Sequence, residues 1–209
     1  MARYTGPVCR LCRREKTKLY LKGAKCDTMK CPVERRPYPP GSSGAGRGRN
    51  RDSEYLLQLR EKQKARRIYG ILERQFRNMY QNAKLAPGVT GENLMRALEL
   101  RLDNVVFRAG WASSRSQARQ LVRHGHVLVN GKRVDIPSFT AGKGMVVTLK
   151  EKTRNNIVVM HNLDTLGRQT PAWIERDADR MSITLVGLPE REQIDVQVRE
   201  SLIIELYSK

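Results

Sequence analysis

Aromatic side chains make up only 6% of this 209-residue chain, and all hydrophobic residues together only 39%. Cores built from so little apolar material are expected to be modest, with much of the chain left as surface. No apolar run approaches the roughly 20 residues that cross a bilayer, which argues against a helical membrane span. The start Met1-Ala-Arg-Tyr4 has no signal-peptide core, so the expected compartment is the cytoplasm. Acidic residues are scarce as well: 21 Asp and Glu stand against 40 Lys and Arg, a formal net charge of +19. A polyanion is therefore the default partner, and on charge alone RNA, DNA or an anionic membrane would fit. The chain holds three histidines, no glycine-rich phosphate loop ending in lysine, no carboxylate pair placed to share a pocket, and no nucleophile–base constellation. It is not expected to be an enzyme.

Cysteine is missing after residue 31. The four that exist, Cys9, Cys12, Cys26 and Cys31, form a C-x2-C pair followed by a C-x4-C pair. Two close thiolate pairs let a flexible loop converge on one tetrahedral Zn²⁺ through bonds of ~2.3 Å, a structural site with no open position. The alternatives are paired disulfides, which a reducing cytosol disfavours, and an iron–sulfur cluster, which also takes four cysteines. The surrounding residues 1–51 are densely basic and include a Pro/Gly-rich tract, Pro37 to Arg49, that has too few apolar residues for a packed core. This region is expected to be an extended basic arm with a metal knot. Arg47, Arg49 and Arg51 alternate along it and suit one strand of nucleic acid.

Helical spacing begins near Ser53 and resumes after Gly70 through Leu72, Phe76, Met79 and Tyr80, until Pro87-Gly88 ends it. Thr90 is a good N-cap for a further helix, with an apolar stripe of Leu94, Leu98, Leu102 and Val105, and with Arg101 and Arg108 along its margin as candidate RNA contacts. Short strands are predicted at Val134–Ile136, Met145–Leu149 and Met181–Val186, and a last helix from about Val198 to Tyr207. Positive charge is concentrated in residues 1–51 and 94–150. Residues 151–209 carry more acidic than basic side chains, so that end is expected to face protein, either this chain or a basic neighbour.

The densest signal is Ser113 to Val134, SSRSQARQLVRHGHVLVNGKRV. A helical wheel puts Arg115, Arg119 and Arg123 on one arc, beside an apolar arc of Ala118, Leu121 and Val122. Ser113 or Ser114 can cap this helix and Gly125 can end it, while Asn130-Gly131 signals a type I′ hairpin turn with Lys132 and Arg133 just beyond. These five basic residues are the leading candidates for phosphate contact. His124, His126 and His161 need no special role.

The order helix, Gly, strand, Asn-Gly, basic strand resembles the αL-type RNA-binding module. The run Arg101-Leu-Asp-Asn-Val-Val-Phe-Arg108 and the run Ala118-Arg-Gln-Leu-Val-Arg-His-Gly-His126 narrow the likeness. With Arg3 to Pro7, Arg36 to Gly41, Glu61 to Lys64 and the ending Glu205 to Lys209, the chain resembles the bacterial small-subunit ribosomal protein four family over nearly its whole length.

The expected fold is α+β: a zinc-knotted extended N-terminal arm over 1–51, a helical domain over 52–93 completed by about 190–209, and an inserted αL-type RNA-binding module over 94–189 with a small antiparallel sheet. A C-terminal helix ends the chain. The resemblance implies zinc on the four cysteines and a structural role in the small ribosomal subunit. It also implies a primary binder of ribosomal RNA that nucleates assembly of the subunit body and contributes to translational accuracy alongside ribosomal protein five, close to where messenger RNA enters. One alternative is an RNA-binding regulator that represses its own message. Another is an RNA pseudouridine synthase, whose Arg-Leu-Asp motif Arg101-Leu102-Asp103 resembles; against it, Asp103 is predicted on the polar side of a helix within the binding module, and no separate catalytic domain follows.

Overall fold

The computed structural model describes residues 3–41, 53–167, 169–177 and 180–208. Two compact units emerge, one made of Met1–Gly91 with Val196–Lys209 and one of Glu92–Asp195. The arm and the helices thus share a unit.

In the first unit the arm is more folded than an extended strand. It contains α1 (Cys9–Glu15), a 3-10 turn at Gly23–Asp27, and α2 (Pro32–Arg35), which begins with proline at a position where its missing N–H costs nothing. Glu15 ties α1 to α3 (Glu54–Ile68) through Arg60 and Arg67. Burial pushes the Glu15 carboxyl up more strongly than those guanidinium groups pull it down. Ser53 caps α3 by accepting the Leu56 N–H at 3.3 Å.

Helix α4 (Glu73–Leu85) and the C-terminal helix, numbered α10 below (Glu200–Ser208), supply the rest of this core. Gln58, buried on α3, donates to Glu205 of α10 at 3.0 Å. Tyr207 stacks on Tyr80 with ring centroids 4.6 Å apart. The first residues of α5 (Thr90–Glu99) approach α10 so closely that a Cβ on Gly91 would stand 2.9 Å from the Glu200 Cβ. Only glycine fits there without a shift.

Glu73 joins these helices by accepting from Lys62 at 2.7 Å, Arg66 at 2.8 Å and the Tyr207 hydroxyl at 2.8 Å. Burial raises its carboxyl, but the hydrogen bonds of Lys62 and Tyr207 and the charges of Lys62 and Arg66 outweigh it and hold the group below its ordinary 4.5. A carboxyl depressed in the folded state stabilises fully above its unfolded value and loses that contribution as pH falls through the folded value. Acid titration followed by circular dichroism should therefore show this unit weakening below about pH 4.5, and Glu73→Gln should flatten that part of the profile.

The second unit continues α5 and adds α6 (Leu102–Arg108), α7 (Arg115–Arg123), α8 (Glu151–Arg154) and α9 (Ile157–Leu166) around one sheet. The helix expected from Thr90, with its stripe of Leu94, Leu98, Leu102 and Val105, is broken at Leu100-Arg101. Arg101 takes an extended conformation and bridges Thr140, while the Ala141 N–H donates to Leu100 O and the Leu102 N–H to Phe139 O, both at 2.8 Å. The sheet runs β2-β1-β3-β5-β4 and every pair is antiparallel: β1 is Val127–Val129, β2 Lys132–Arg133, β3 Val146–Leu149, β4 Ile174–Asp177 and β5 Ser182–Leu185.

Its inner face buries Val127, Val147, Leu149, Ile183 and Leu185 against Val105, Val106, Trp111 and Val122. Asn130 and Gly131 both take positive φ, +48° and +76°, as a type I′ turn requires. Asn130 Oδ1 also accepts the Val146 N–H at 2.9 Å, locking the hairpin to β3. The strand predicted at Val134–Ile136 does not form; the hairpin's second strand is Lys132–Arg133, just before it. The ladder ends at Arg133, with one further bond from the Val134 N–H to Val127 O.

Candidate nucleic-acid interface

Helix α7 forms where the wheel places it. Ser114 caps it by accepting the Gln117 N–H at 3.3 Å, and Ala118 and Val122 enter the core. The arginines then divide. Arg119 is only 7% exposed and donates to Asp103 at 3.0 Å; Arg101, 3% exposed, holds the same carboxylate through two bonds of 3.1 and 2.8 Å. Arg108 grips Glu99 through two 2.8 Å bonds and reaches Asp195 at 2.6 Å. Arg115 donates to Asn104 at 2.8 Å and lies over the Phe107 ring at 4.4 Å. Burial disfavours the Arg108 charge, but the bonds and charges of Glu99 and Asp195 win and raise its pKa. The Arg108 bond is also the main cause that holds Asp195 below its usual range.

These contacts hold Arg101, Arg108, Arg115 and Arg119, expected as phosphate ligands, against groups of the same unit. A helical wheel ranks residues around one axis and is blind to Glu99 and Asp103, which face α7 from the preceding segment. Asp103 itself is 4% exposed rather than on a polar helix face, and its carboxylate is held between two guanidinium groups. Its role is structural.

What remains open is the far end of α7 and the hairpin. Arg123, His124, Lys132 and Arg133 are exposed. Gly125, at φ +69°, lets Arg133 lie across the helix end, where any Cβ would sit 2.3 Å from the Arg133 Nε. Nearby, the His126 imidazole is held below its ordinary value first by burial and then by the charges of His124, Lys150 and Arg133. These cations share one edge of the unit, and Asp135, 3.9 Å from Arg133, is the acidic group paired with it there. Lys150 escapes a linear reading because only strand register brings it in: its N–H donates to His126 O at 3.0 Å, one step beyond the Val127–Leu149 pair. Arg47, Arg49 and Arg51 lie outside the described residues.

The four cysteines are unpaired thiols, and Cys12, Cys26 and Cys31 are buried. Burial chiefly raises the Cys12 thiol, and the other three cysteines add to the rise. The Lys22 N–H donates to the Cys26 sulfur at 3.4 Å. Four thiols within residues 9–31, three of them buried, are the donor type of a thiolate metal site. Among the described residues, no three His, Cys, Asp or Glu side chains stand together as a formed metal cluster, and no helix is long and apolar enough to cross a membrane.

The acidic end makes contacts within each unit: Asp195 with Arg108, and Glu205 with Gln58.

Two families cover most of the chain. Residues 3–99 match the ribosomal protein S4/S9 N-terminal domain and residues 100–147 match the S4 domain. Among curated relatives, the small ribosomal subunit protein uS4 of Frankia alni is 57% identical over 211 aligned residues, that of Acidothermus cellulolyticus 57% over 210, and that of Heliobacterium modesticaldum 58% over 210. Each covers 100% of both chains. Identity at that level, end to end, means that the chain belongs to the small ribosomal subunit protein uS4 family.

Proposed function

We propose that this chain is a primary binder of small-subunit ribosomal RNA that nucleates assembly of the subunit body and contributes to translational accuracy. Membership of the uS4 family makes it a structural, RNA-binding constituent of the ribosome in the cytoplasm, not an enzyme. The observation that carries the RNA-binding reading is the exposed cationic edge of Arg123, Lys132 and Arg133, on a unit where Arg101, Arg108 and Arg119 are held in ion pairs with Asp103 and Glu99. Cations held by a rigid hairpin and a helix end suit phosphates at fixed spacing, and several such surfaces can clamp a junction of RNA helices.

The arm extends this reading. Arg47, Arg49 and Arg51 follow a single strand, either ribosomal or incoming messenger, and ribosomal protein five is the neighbour for the acidic end. Depleting the chain from cells is expected to halt small-subunit assembly with ribosomal RNA unprocessed; normal subunits lacking the chain would overturn the nucleating role. Sequencing RNA cross-linked to it in cells should return small-subunit ribosomal RNA. Recovery of its own message alone would favour the regulator.

Cys9, Cys12, Cys26 and Cys31 hold one structural Zn²⁺ in this reading, which supplies folding energy the arm lacks in apolar surface. Purified reduced chain is expected to carry one zinc per molecule. Cys26→Ser should loosen residues 1–31 in hydrogen exchange and leave the unit Glu92–Asp195 protected. Iron, or no metal in freshly reduced protein, would remove zinc from the account.

A further inference from the structure

Between α7 and the start of α9, beside the cationic edge and sharing His124 with it, lies an open cleft of about 250 Å³. Gln117, Gln120, Leu121 and His124 form its α7 side, and Val158 and Asn156 stand opposite, with His126 between. We propose that this cleft takes one unstacked nucleobase of RNA, with the flanking phosphates on the neighbouring cations. The proposal rests on the RNA-binding reading above and adds a site to it.

Size comes first. Drug-sized ligands occupy roughly 300–1,000 Å³, so this smaller space suits a single planar ring system. Its chemistry is that of a base: Leu121 and Val158 offer apolar contact to a ring face, and imidazoles such as those of His124 and His126 stack on unpaired bases. The two rings lie 6.1 Å apart, tilted by 47°. His126 Nδ1 is engaged with the Thr153 hydroxyl at 2.9 Å, which fixes the ring.

The polar atoms can hold the edge of a base. Gln117 Oε1 already accepts from the Ser113 N–H at 2.6 Å, from the Ser113 hydroxyl at 2.8 Å and from Asn162 at 3.3 Å. Asn156 Oδ1 accepts the Val158 N–H at 2.9 Å, as the cap of α9. What both side chains have left to offer is their amide N–H donors. These donors suit the carbonyl and ring-nitrogen acceptors that every nucleobase presents.

Charge supplies the partner. Arg133 and Lys150 flank His126, and Arg123 immediately precedes His124, so a strand whose base enters the cleft has cations beside its phosphates. Val158, in the cleft wall, is 50% exposed, apolar surface that the core of this unit leaves uncovered.

The test uses the uniformly isotope-labelled full chain, titrated separately with UMP, GMP, CMP, AMP and a short RNA duplex. The four mononucleotides are expected to shift the Leu121 and Val158 methyls and the His124 ring. The duplex should shift Arg123 and Lys132 while leaving the cleft methyls in place. Val158→Trp, at a half-exposed position, fills the cleft and should weaken single-stranded RNA about tenfold with duplex affinity and melting temperature unchanged. Silent cleft methyls, or a Val158→Trp chain that binds single strands normally, would overturn the site while leaving ribosomal RNA binding intact. Methyls that shift only when a neighbouring protein joins the subunit would make the occupant a protein side chain and overturn it equally. A wild-type chain with no salt-sensitive affinity for ribosomal RNA would instead bring down the RNA-binding reading and this site with it.

Discussion

Asp103→Ala is expected to cost about 3–5 kcal/mol of stability, because it leaves two buried guanidinium groups without their carboxylate. Arg101 and Arg119 are 3% and 7% exposed and both bond Asp103, so water cannot replace the lost partner. Urea unfolding should show a lower midpoint for the unit that holds α6 and α7. Any loss of RNA affinity should track the unfolded fraction. Replacing Arg101, Asp103 and Arg119 together by apolar residues of similar volume should recover much of the loss, since a buried ionic group is expensive chiefly when it is left half-paired. An Asp103→Ala chain of normal stability with impaired RNA binding would mean that this carboxylate acts at the interface after all.

The opposite pattern is expected at the hairpin. Changing Arg123, Lys132 and Arg133 together to Ala should weaken binding to small-subunit ribosomal RNA by orders of magnitude at moderate salt and leave the melting temperature nearly unchanged, because all three are exposed. Each phosphate contact releases counterions on binding, so the slope of log affinity against log salt should fall by roughly 2 to 3. Equilibrium filter binding across a salt series measures both quantities. An unaltered slope would remove the hairpin from the interface. The Arg115 and Arg119 side chains, although on the same helix, should behave like Asp103: their loss disturbs packing first.

The contrast between these two sets of arginines marks where the sequence is legible. Asn130-Gly131 announced its turn because few residues accept positive φ at both positions, and the structure places both there. The α7 cap and its buried Ala118 and Val122 were equally local facts. Arg119 was not, since its meaning depends on Asp103, sixteen residues away in sequence and 3.0 Å away in space.

The break between α5 and α6 was hidden for a similar reason. Leu98, Leu102 and Val105 keep helical spacing across it, and only the bonds from Leu102 and Ala141 reveal that the loop at Phe139–Ala141 has taken over the backbone at Leu100 and Arg101. Strand β4 gave no alternation to read, because Ile174 is buried while the next three residues are all exposed. Helix α9 carries apolar residues at Ile157, Val158 and Met160 that stay exposed, so its pattern points to no single face.

The central claim is that this chain holds small-subunit ribosomal RNA by the open edge of its hairpin rather than by the arginine stripe of α7. Ultraviolet cross-linking in growing cells, with the attached peptide and the attached RNA identified on the same molecule, tests it most directly. The expected result is small-subunit ribosomal RNA joined to peptides spanning residues 123–133. Ribosomal RNA joined at Arg115 or Arg119 with none at Arg123, Lys132 or Arg133, or RNA of any other kind as the main product, would contradict it.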